Sequence, residues 1–349
     1  VNSDGCIFRE TAVRIPGSFS RHLLLREPRH ALDRPRGGQY NREFDTNRIG
    51  SASNVRCMFT FIARHKFLVG IDSDGCVFDS MELKHKECFI PKFIDCYELQ
   101  GVSKYAREAA EFVNLYSKSR GVNRFPGLVE QLDWLRRRPE VQARGVRVAR
   151  PEGLRKWIAQ ESKLGNPALE RAVAANGDAD LKQALEWSVS VNKSIAAMVR
   201  GVPPFPCVRE CLDRFADQAD MIVCSQTPTA ALEAEWQEHG IATYVQAICG
   251  QEIGSKQESL AAAKEKGNYP TESVLMIGDA PGDYKAAAAN DALFFPINPG
   301  HEEASWKQLL DEGIERFFAG QFAGDYQAHL LTKFDSYLPE QPPWPVTNN

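Results

Sequence analysis

Five short apolar runs punctuate the chain from residue 67 onward. They are Phe67–Ile71 (FLVGI), 221–224 (MIVC), 244–249 (YVQAIC), 274–277 (VLMI) and 292–297 (ALFFPI). Their lengths suit buried strands, and their lack of polar alternation predicts cover on both faces. Between the later runs, residues 229–239, 259–266 and 283–290 read as helix, the first closed by Gly240 as a natural stop. Strand alternating with helix predicts an α/β fold, a doubly wound parallel sheet with helices on both faces. Ligands of such sheets sit beyond the carboxyl ends of the strands.

The interval between the first two strands is too long for one crossover, so residues 81–204 are expected to form an inserted, mainly helical unit. The segments AREAAEFVNLYSKS and PALERAVAANGDADLKQALEWSVSVNKSIAAMV carry apolar residues at helical spacing. GVPPFP, residues 201–206, reads as a stiff extended return. The division expected is therefore an α/β core of residues 58–80 and 205–335, a helical unit of 81–204, and a proline-rich tail, 336–349, extended or frayed. Residues 1–57 differ from the rest: ten Arg, no Lys, six acids and no sustained apolar period, with the first Met at 58. The favoured reading is upstream sequence ahead of a true start near Met58, and the alternative is a disordered basic arm.

Composition narrows the function classes. With 43% hydrophobic and 25% charged residues the chain is an ordinary globular one, of a length that suits two domains or one with a large insertion. A net charge of −4 gives no electrostatic reason to expect nucleic acid as a partner. No apolar run approaches the ~20 residues of a membrane span, and no charged-then-apolar leader opens the chain. The nine cysteines are scattered, odd in number and without a CxxC pair, which predicts reduced thiols in a cytoplasmic protein.

Carboxylates recur at the strand ends. Asp72 and Asp74 follow the first strand in FLVGIDSDGCVFDS, and Asp279 and Asp283 follow the fourth in MIGDAPGDY. Ser225 follows the second, and Lys256 lies in the loop GQEIGSKQES after the third. In a parallel sheet these ends converge on one crevice, where gathered carboxylates repel each other. A hard divalent cation relieves that repulsion, and Mg²⁺ prefers oxygen ligands, few carboxylates and a phosphate. A lysine and a hydroxyl beside them suit a phosphoryl group developing charge. A calcium-binding EF-hand loop beginning at Asp72 would need Gly at its sixth position and Glu at its twelfth; Val77 and Leu83 stand there.

The pattern resembles the haloacid dehalogenase superfamily, in particular its phosphatase branch with a helical C1-type cap, as in phosphoglycolate phosphatase and β-phosphoglucomutase. The family's four motifs appear in order as DSDGC, Ser225, Lys256 and GDAPGD, over residues 67 to about 300. Two departures are Cys76, where the family usually has Thr or Val, and Gln257, where many relatives have Pro after the lysine. The resemblance implies a Rossmann-like core and an enzyme, a Mg²⁺-dependent phosphomonoester hydrolase. Asp72 would be the nucleophile that forms an aspartyl-phosphate, and Asp74 the general acid and base. Ser225 and Lys256 would hold the phosphoryl group. Asp72, the backbone carbonyl of Asp74, Asp279 and Asp283 would hold the metal. Asp283 on its own could also be no more than a helix N-cap.

The substrate expected is a small phosphorylated metabolite, such as a sugar phosphate or phosphoglycolate. The basic stretch NLYSKSRGVNRFPGL places Lys118, Arg120, Asn123 and Arg124 around Gly121. It could reach a substrate's distal end or be a solvated connection; Arg120, Asn123 and Arg124, with Gln226 beside Ser225, are the candidate substrate contacts. The alternatives are a phosphomutase resembling β-phosphoglucomutase and a non-catalytic phosphate-binding member. The mutases carry a cap-side His where this chain has Lys84, with His85 one step late; a non-catalytic member would be expected to lack a motif residue, and none is missing. His85 and His65 read as packing or surface residues.

Overall fold

The computed structural model describes residues 59–347. The readings of residues 1–57, and the last two positions of the tail, lie outside them. Five strands form one wholly parallel sheet in the order β3-β2-β1-β4-β5: β1 Phe67–Ile71, β2 Ala219–Cys224, β3 Ala247–Cys249, β4 Val274–Gly278 and β5 Leu293–Pro296. All five expected runs are strands. The third is shorter than its apolar run, because Ala242–Tyr244 closes into a 3₁₀ turn and pairing with β2 begins at Ala247.

The sheet is buried on both sides, as its unbroken apolar runs require. Val69, Ile71, Met221, Val223, Leu275 and Ile277 pack on one face against Phe215, Trp236 and Trp306. Leu68, Ile222, Cys224, Val274 and Met276 pack on the other, with Leu260, Ala263 and Ala287. The central strand is fully covered: Leu68, Val69 and Ile71 have no exposed surface, and each contributes about 1.5–3 kcal/mol by leaving water. β1 sits at the centre with the chain running outward on both sides, which places a topological switch point at its carboxyl end.

Between β1 and β2 lies the helical insertion. It begins with Ser80–Leu83, a π-helical turn at Lys84–Phe89 and Ile90–Cys96, and its longer helices are Ser103–Leu115, Arg124–Arg136, Asn166–Asn176 and Ala179–Met198. The last of these shows why the segment is helical: Leu181, Ala184, Trp187, Ser188 and Val191 form one buried stripe, and the Asp178 carboxylate caps the start by accepting from the Asp180 and Leu181 amides. The insertion encloses an apolar core of its own, with Phe93, Phe112, Leu132 and Trp187 among its buried members. The proline-rich return is pinned to the first motif where Phe205 N–H donates to Val77 O at 2.9 Å.

The tail beyond the helix Asp325–Ser336 has no regular element, yet it is packed rather than frayed. Leaving the sheet side, it crosses to the insertion. There Trp344 meets Phe112 with ring centroids 5.5 Å apart, the Arg138 guanidinium lies 4.3 Å from the Trp344 ring, and Thr347 N–H donates to Arg137 O at 2.8 Å. Among the described residues no helix is long and apolar enough to cross a membrane.

Candidate active site

The ends of β1 and β4 deliver a carboxylate cluster. Asp72 directly follows β1, where its N–H continues the ladder by donating to Ile277 O at 2.9 Å. It is 4% exposed, so its carboxylate has little access to bulk water. Asp279 directly follows β4, and Asp283 lies in the first turn of the helix Pro281–Ala288. Asp283 Oδ2 accepts from the Asp279 and Ala280 amides at 3.1 and 3.0 Å. The N-cap of this helix is Ala280, so Asp283 is not the N-cap the sequence allowed for; it binds the cap amide from the first turn, and its Oδ1 faces the cluster. Oxygens of Asp72, Asp279 and Asp283 lie within 4.8 Å of one another.

Two cations answer these three charges. Lys256 Nζ bridges Asp72 Oδ2 at 2.7 Å and Asp283 Oδ1 at 2.6 Å. Lys256 was expected in a loop; it is the first residue of the helix Lys256–Gly267, whose start is fixed by a capping box between Ser255 and Glu258. The second cation is Arg120, from the turn between the insertion helices Ser103–Leu115 and Arg124–Arg136. Its Nε and Nη2 both reach Asp279 Oδ2, at 2.8 and 2.7 Å. Burial pushes the Asp279 carboxyl up to about 6, against the pull of Arg120. Burial likewise raises Asp72, with Lys256 opposing and the two neighbouring aspartates adding to the rise. For Lys256, burial would favour the neutral amine, but Asp283 and Asp72 reverse the balance and hold it charged.

Asp74 stands apart from this cluster and has different partners. Its Oδ1 accepts from the Ser80 hydroxyl and its Oδ2 from Lys84 Nζ at 2.8 Å. Burial alone would raise its pKa; Lys84 and Ser80 together bring it below the usual carboxylate value. Glu235, on the helix Thr229–Glu238, completes the surroundings and is pushed up to about 7 by burial, with Lys84 opposing and Asp74 adding. Lys84, Ser80 and Glu235 were not singled out as partners of Asp74. Ser80 and Lys84 are six and ten residues away, past a turn whose geometry no periodicity specifies. Glu235 sits among other acids on an ordinary helix, and no sequence signal distinguishes it.

Ser225 follows β2 and is 3% exposed; its hydroxyl accepts Thr227 N–H at 3.3 Å and still has a proton to donate. Gln226 beside it is exposed. The other expected substrate contacts are placed differently from a loop reaching outward. Arg120 is buried inside the carboxylate cluster because Asp279 draws its fork inward. Asn123 caps the helix Arg124–Arg136 by accepting Phe125 N–H at 3.0 Å. Arg124 Nη1 donates to Ser188 Oγ and Asn192 Oδ1 at 2.9 and 2.7 Å, and its guanidinium lies 5.0 Å from the Phe89 ring. Asn123 and Arg124 therefore stabilise the insertion itself, and Lys118 pairs with Asp335. His85 is half-buried, its pKa lowered to about 3 by burial, with its ring 4.5 Å from that of Phe89. It packs, as the sequence suggested.

Two glycines allow this closeness. Gly75 has φ +82°, and a Cβ there would stand 2.9 Å from Asp279 Oδ2 and 3.0 Å from Arg120 Nη2. Gly121 has φ +75°, and a Cβ would stand 2.9 Å from Ala280 Cβ. The Arg120–Gly121 turn is thus seated directly on the loop that follows β4. A separate cavity of about 470 Å³ lies at the amino-terminal edge of the sheet, lined by Arg64, His65, Asp220 and Gln246 among others. It is remote from the carboxylate cluster, and its buried Asp220 is saturated by the Arg64 and His65 amides, Gln246 and Tyr269, so it fastens the entering chain rather than awaiting a ligand.

Asp279 Oδ1 decides whether a cation fits. It is buried and has no hydrogen-bond partner, although a buried carboxylate oxygen ordinarily has one. With all three ionised, the carboxylates exceed the two protein cations by one negative charge. Oxygen donors, an orphaned oxygen and residual negative charge together suit a hard divalent ion.

No family model matches the chain, and no curated protein does. Comparison with solved structures finds similar chains at low identity. One is described as a predicted phosphatase from Clostridium acetobutylicum, with 15% identity and a TM-score of 0.39, over 73% of this chain and all (100%) of that one. Another is a haloacid dehalogenase-like hydrolase from Streptococcus pneumoniae, with 13% identity and a TM-score of 0.38, over 77% and 98%. A third is a hydrolase of the same superfamily, subfamily IA, from Geobacter sulfurreducens, with 15% identity and a TM-score of 0.34, over 66% and 87%.

Proposed function

We propose that the protein is a Mg²⁺-dependent phosphomonoesterase that acts on a small phosphorylated metabolite through a covalent phosphoryl-aspartate at Asp72. The observation that carries this reading is the convergence of Asp72, Asp279, Asp283 and Lys256, from three different strand ends, around the partnerless Asp279 Oδ1. In this reading the helical insertion, residues 81–204, is a cap over a core of residues 58–80 and 205–335, and the protein works in the cytoplasm.

Asp72 is the nucleophile in this reading, with its Oδ1 held by the Ser73 amide and its Oδ2 by Lys256. Its attack on phosphorus forms the acyl phosphate as the bond to the leaving oxygen breaks, and Asp74 supplies that oxygen's proton. Water then attacks phosphorus and Asp74 takes the water's proton. The bond to Asp72 breaks, releasing inorganic phosphate and restoring the carboxylate. The Lys84 contact keeps Asp74 ionised and ready for the second half of this cycle; Asp74 must leave that contact to carry a proton in the first. Lys256 and the Ser225 hydroxyl bind phosphoryl oxygens as charge moves toward the leaving group. Asp72, Asp279 and Asp283 would hold Mg²⁺, which when bound supplies positive charge to the phosphoryl oxygens.

A screen of phosphorylated metabolites for released phosphate, in Mg²⁺ and again in excess chelator, tests the reading. Asp72→Asn should abolish turnover with the fold retained, and Asp74→Asn should slow it by about 10²–10⁴. Near-normal turnover by Asp72→Asn, or full activity in chelator, would overturn it. An isomerised product in place of free phosphate would mark a mutase.

A further inference from the structure

The insertion sends one charged group into the carboxylate cluster, and that group is itself a cation. Arg120 is 3% exposed. Its Nε and Nη2 share Asp279 Oδ2, while Nη1 donates to Leu115 O at 2.8 Å, so the guanidinium is fixed at both ends. The backbone around it is equally settled: Arg120 N–H donates to Ser117 O at 2.9 Å and Val122 N–H to Ser119 O at 3.0 Å. Only glycine at positions 75 and 121 lets the turn approach so closely. Asp279 is thereby bound on one oxygen by the insertion, and its other oxygen is the orphan of the cluster.

We propose that Arg120 is a built-in rival of the divalent cation, so that loading the metal and seating the Ser117–Asn123 turn on the core oppose each other. The proposal rests on the metal centre proposed above and adds an electrostatic link between that centre and the insertion. A guanidinium on Asp279 withdraws electron density from the carboxylate and repels a second cation a few ångströms away. A ligating carboxylate accepts hydrogen bonds from its neighbours, and here the donor carries a full positive charge. Linkage makes the effect reciprocal: if the seated arginine weakens metal binding by some factor, bound metal weakens the seating by the same factor. The metal state would then be read by the insertion, which carries no metal ligand of its own.

The test uses the full chain and Mn²⁺ as the probe, with no phosphate present, and reads binding by calorimetry and by the electron paramagnetic resonance of free Mn²⁺. Arg120→Gln should bind Mn²⁺ at least ten-fold more tightly than the unaltered protein, and Arg120→Lys should fall between them. In the unaltered protein, which needs no variant to fold, saturating Mn²⁺ should speed amide hydrogen exchange at Arg120 and Val122. Equal or weaker binding by Arg120→Gln would overturn the rivalry and make Arg120 a positioning residue for Asp279. Slower or unchanged exchange in the turn would overturn the reciprocal half. Absence of Mn²⁺ binding by both folded proteins would remove the metal centre itself, and the inference with it.

Discussion

Replacing Lys256 by methionine isolates the electrostatics of the cluster. The ammonium sits 2.7 Å from Asp72 Oδ2 and 2.6 Å from Asp283 Oδ1, and both carboxylates are almost wholly shielded from solvent. At an effective dielectric of about 20, each contact represents roughly 6 kcal/mol of gross attraction. Most of this is offset by the cost of taking the ions out of water. What a deletion measures is the charge left without its partner, about 3–5 kcal/mol for a buried pair. In a unit of this size that corresponds to a fall in Tm of roughly 6–15 °C. The pH dependence adds a second check. Asp72 already titrates above its ordinary value in the folded protein, and losing Lys256 raises it further. A group so raised keeps a proton in the folded state that the unfolded chain has released, so stability falls as pH rises through that interval. Lys256→Met should therefore lose most at pH 8 and least near pH 5, and Mg²⁺ should restore part of the loss. Calorimetric melting at both pH values, with and without Mg²⁺, reads all three. A variant within 0.5 kcal/mol of the parent at pH 8 (about 1–2 °C), or one whose deficit grows as pH falls, would refute the reasoning.

Three further outcomes are expected. Gly75→Ala should cost about 1–3 kcal/mol, because alanine must adopt a left-handed φ and its Cβ would crowd Asp279; an unchanged melting temperature would contradict the close approach. Glu235→Gln should be more stable than the parent by about 1–2 kcal/mol at pH 8 and equal to it at pH 4, a figure discounted for partial exposure. The sign follows because the Glu235 carboxyl, pushed up to about 7, stays protonated in the folded state where the unfolded chain has ionised; urea titrations at the two pH values check it. Trp344→Ala should destabilise the protein by about 1–2 kcal/mol through its contacts with Arg138 and Phe112, and tryptophan fluorescence during urea unfolding would report it.

The sheet was legible because its strands are buried on both faces, so FLVGI, MIVC and VLMI need no partner to be recognised. The carboxylates were legible because aspartates at the end of such runs are too costly to be accidental. What could not be read is everything set by long-range approach. Arg120 and Asp279 are 159 positions apart, and an arginine beside a glycine looks the same whether it turns toward solvent or into a buried charge. The tail was opaque for a similar reason. Pro-rich text carries no periodicity, and the stacking of Trp344 on Arg138 exists only once the helix Arg124–Arg136 has brought Arg138 to that surface.

The crossing of the tail has a consequence for synthesis. Thr347 bonds Arg137 from 210 positions downstream. At a translation rate of about 5–20 residues per second, the helices of the insertion wait on the order of 10–40 s for the segment that covers Phe112 and caps Arg138. Throughout that interval a nascent chain whose insertion has already folded presents an uncovered aromatic face at Phe112 and an arginine that has the Tyr105 ring but lacks Trp344. During that interval the uncovered surface is open to off-pathway association and offers a chaperone a place to hold.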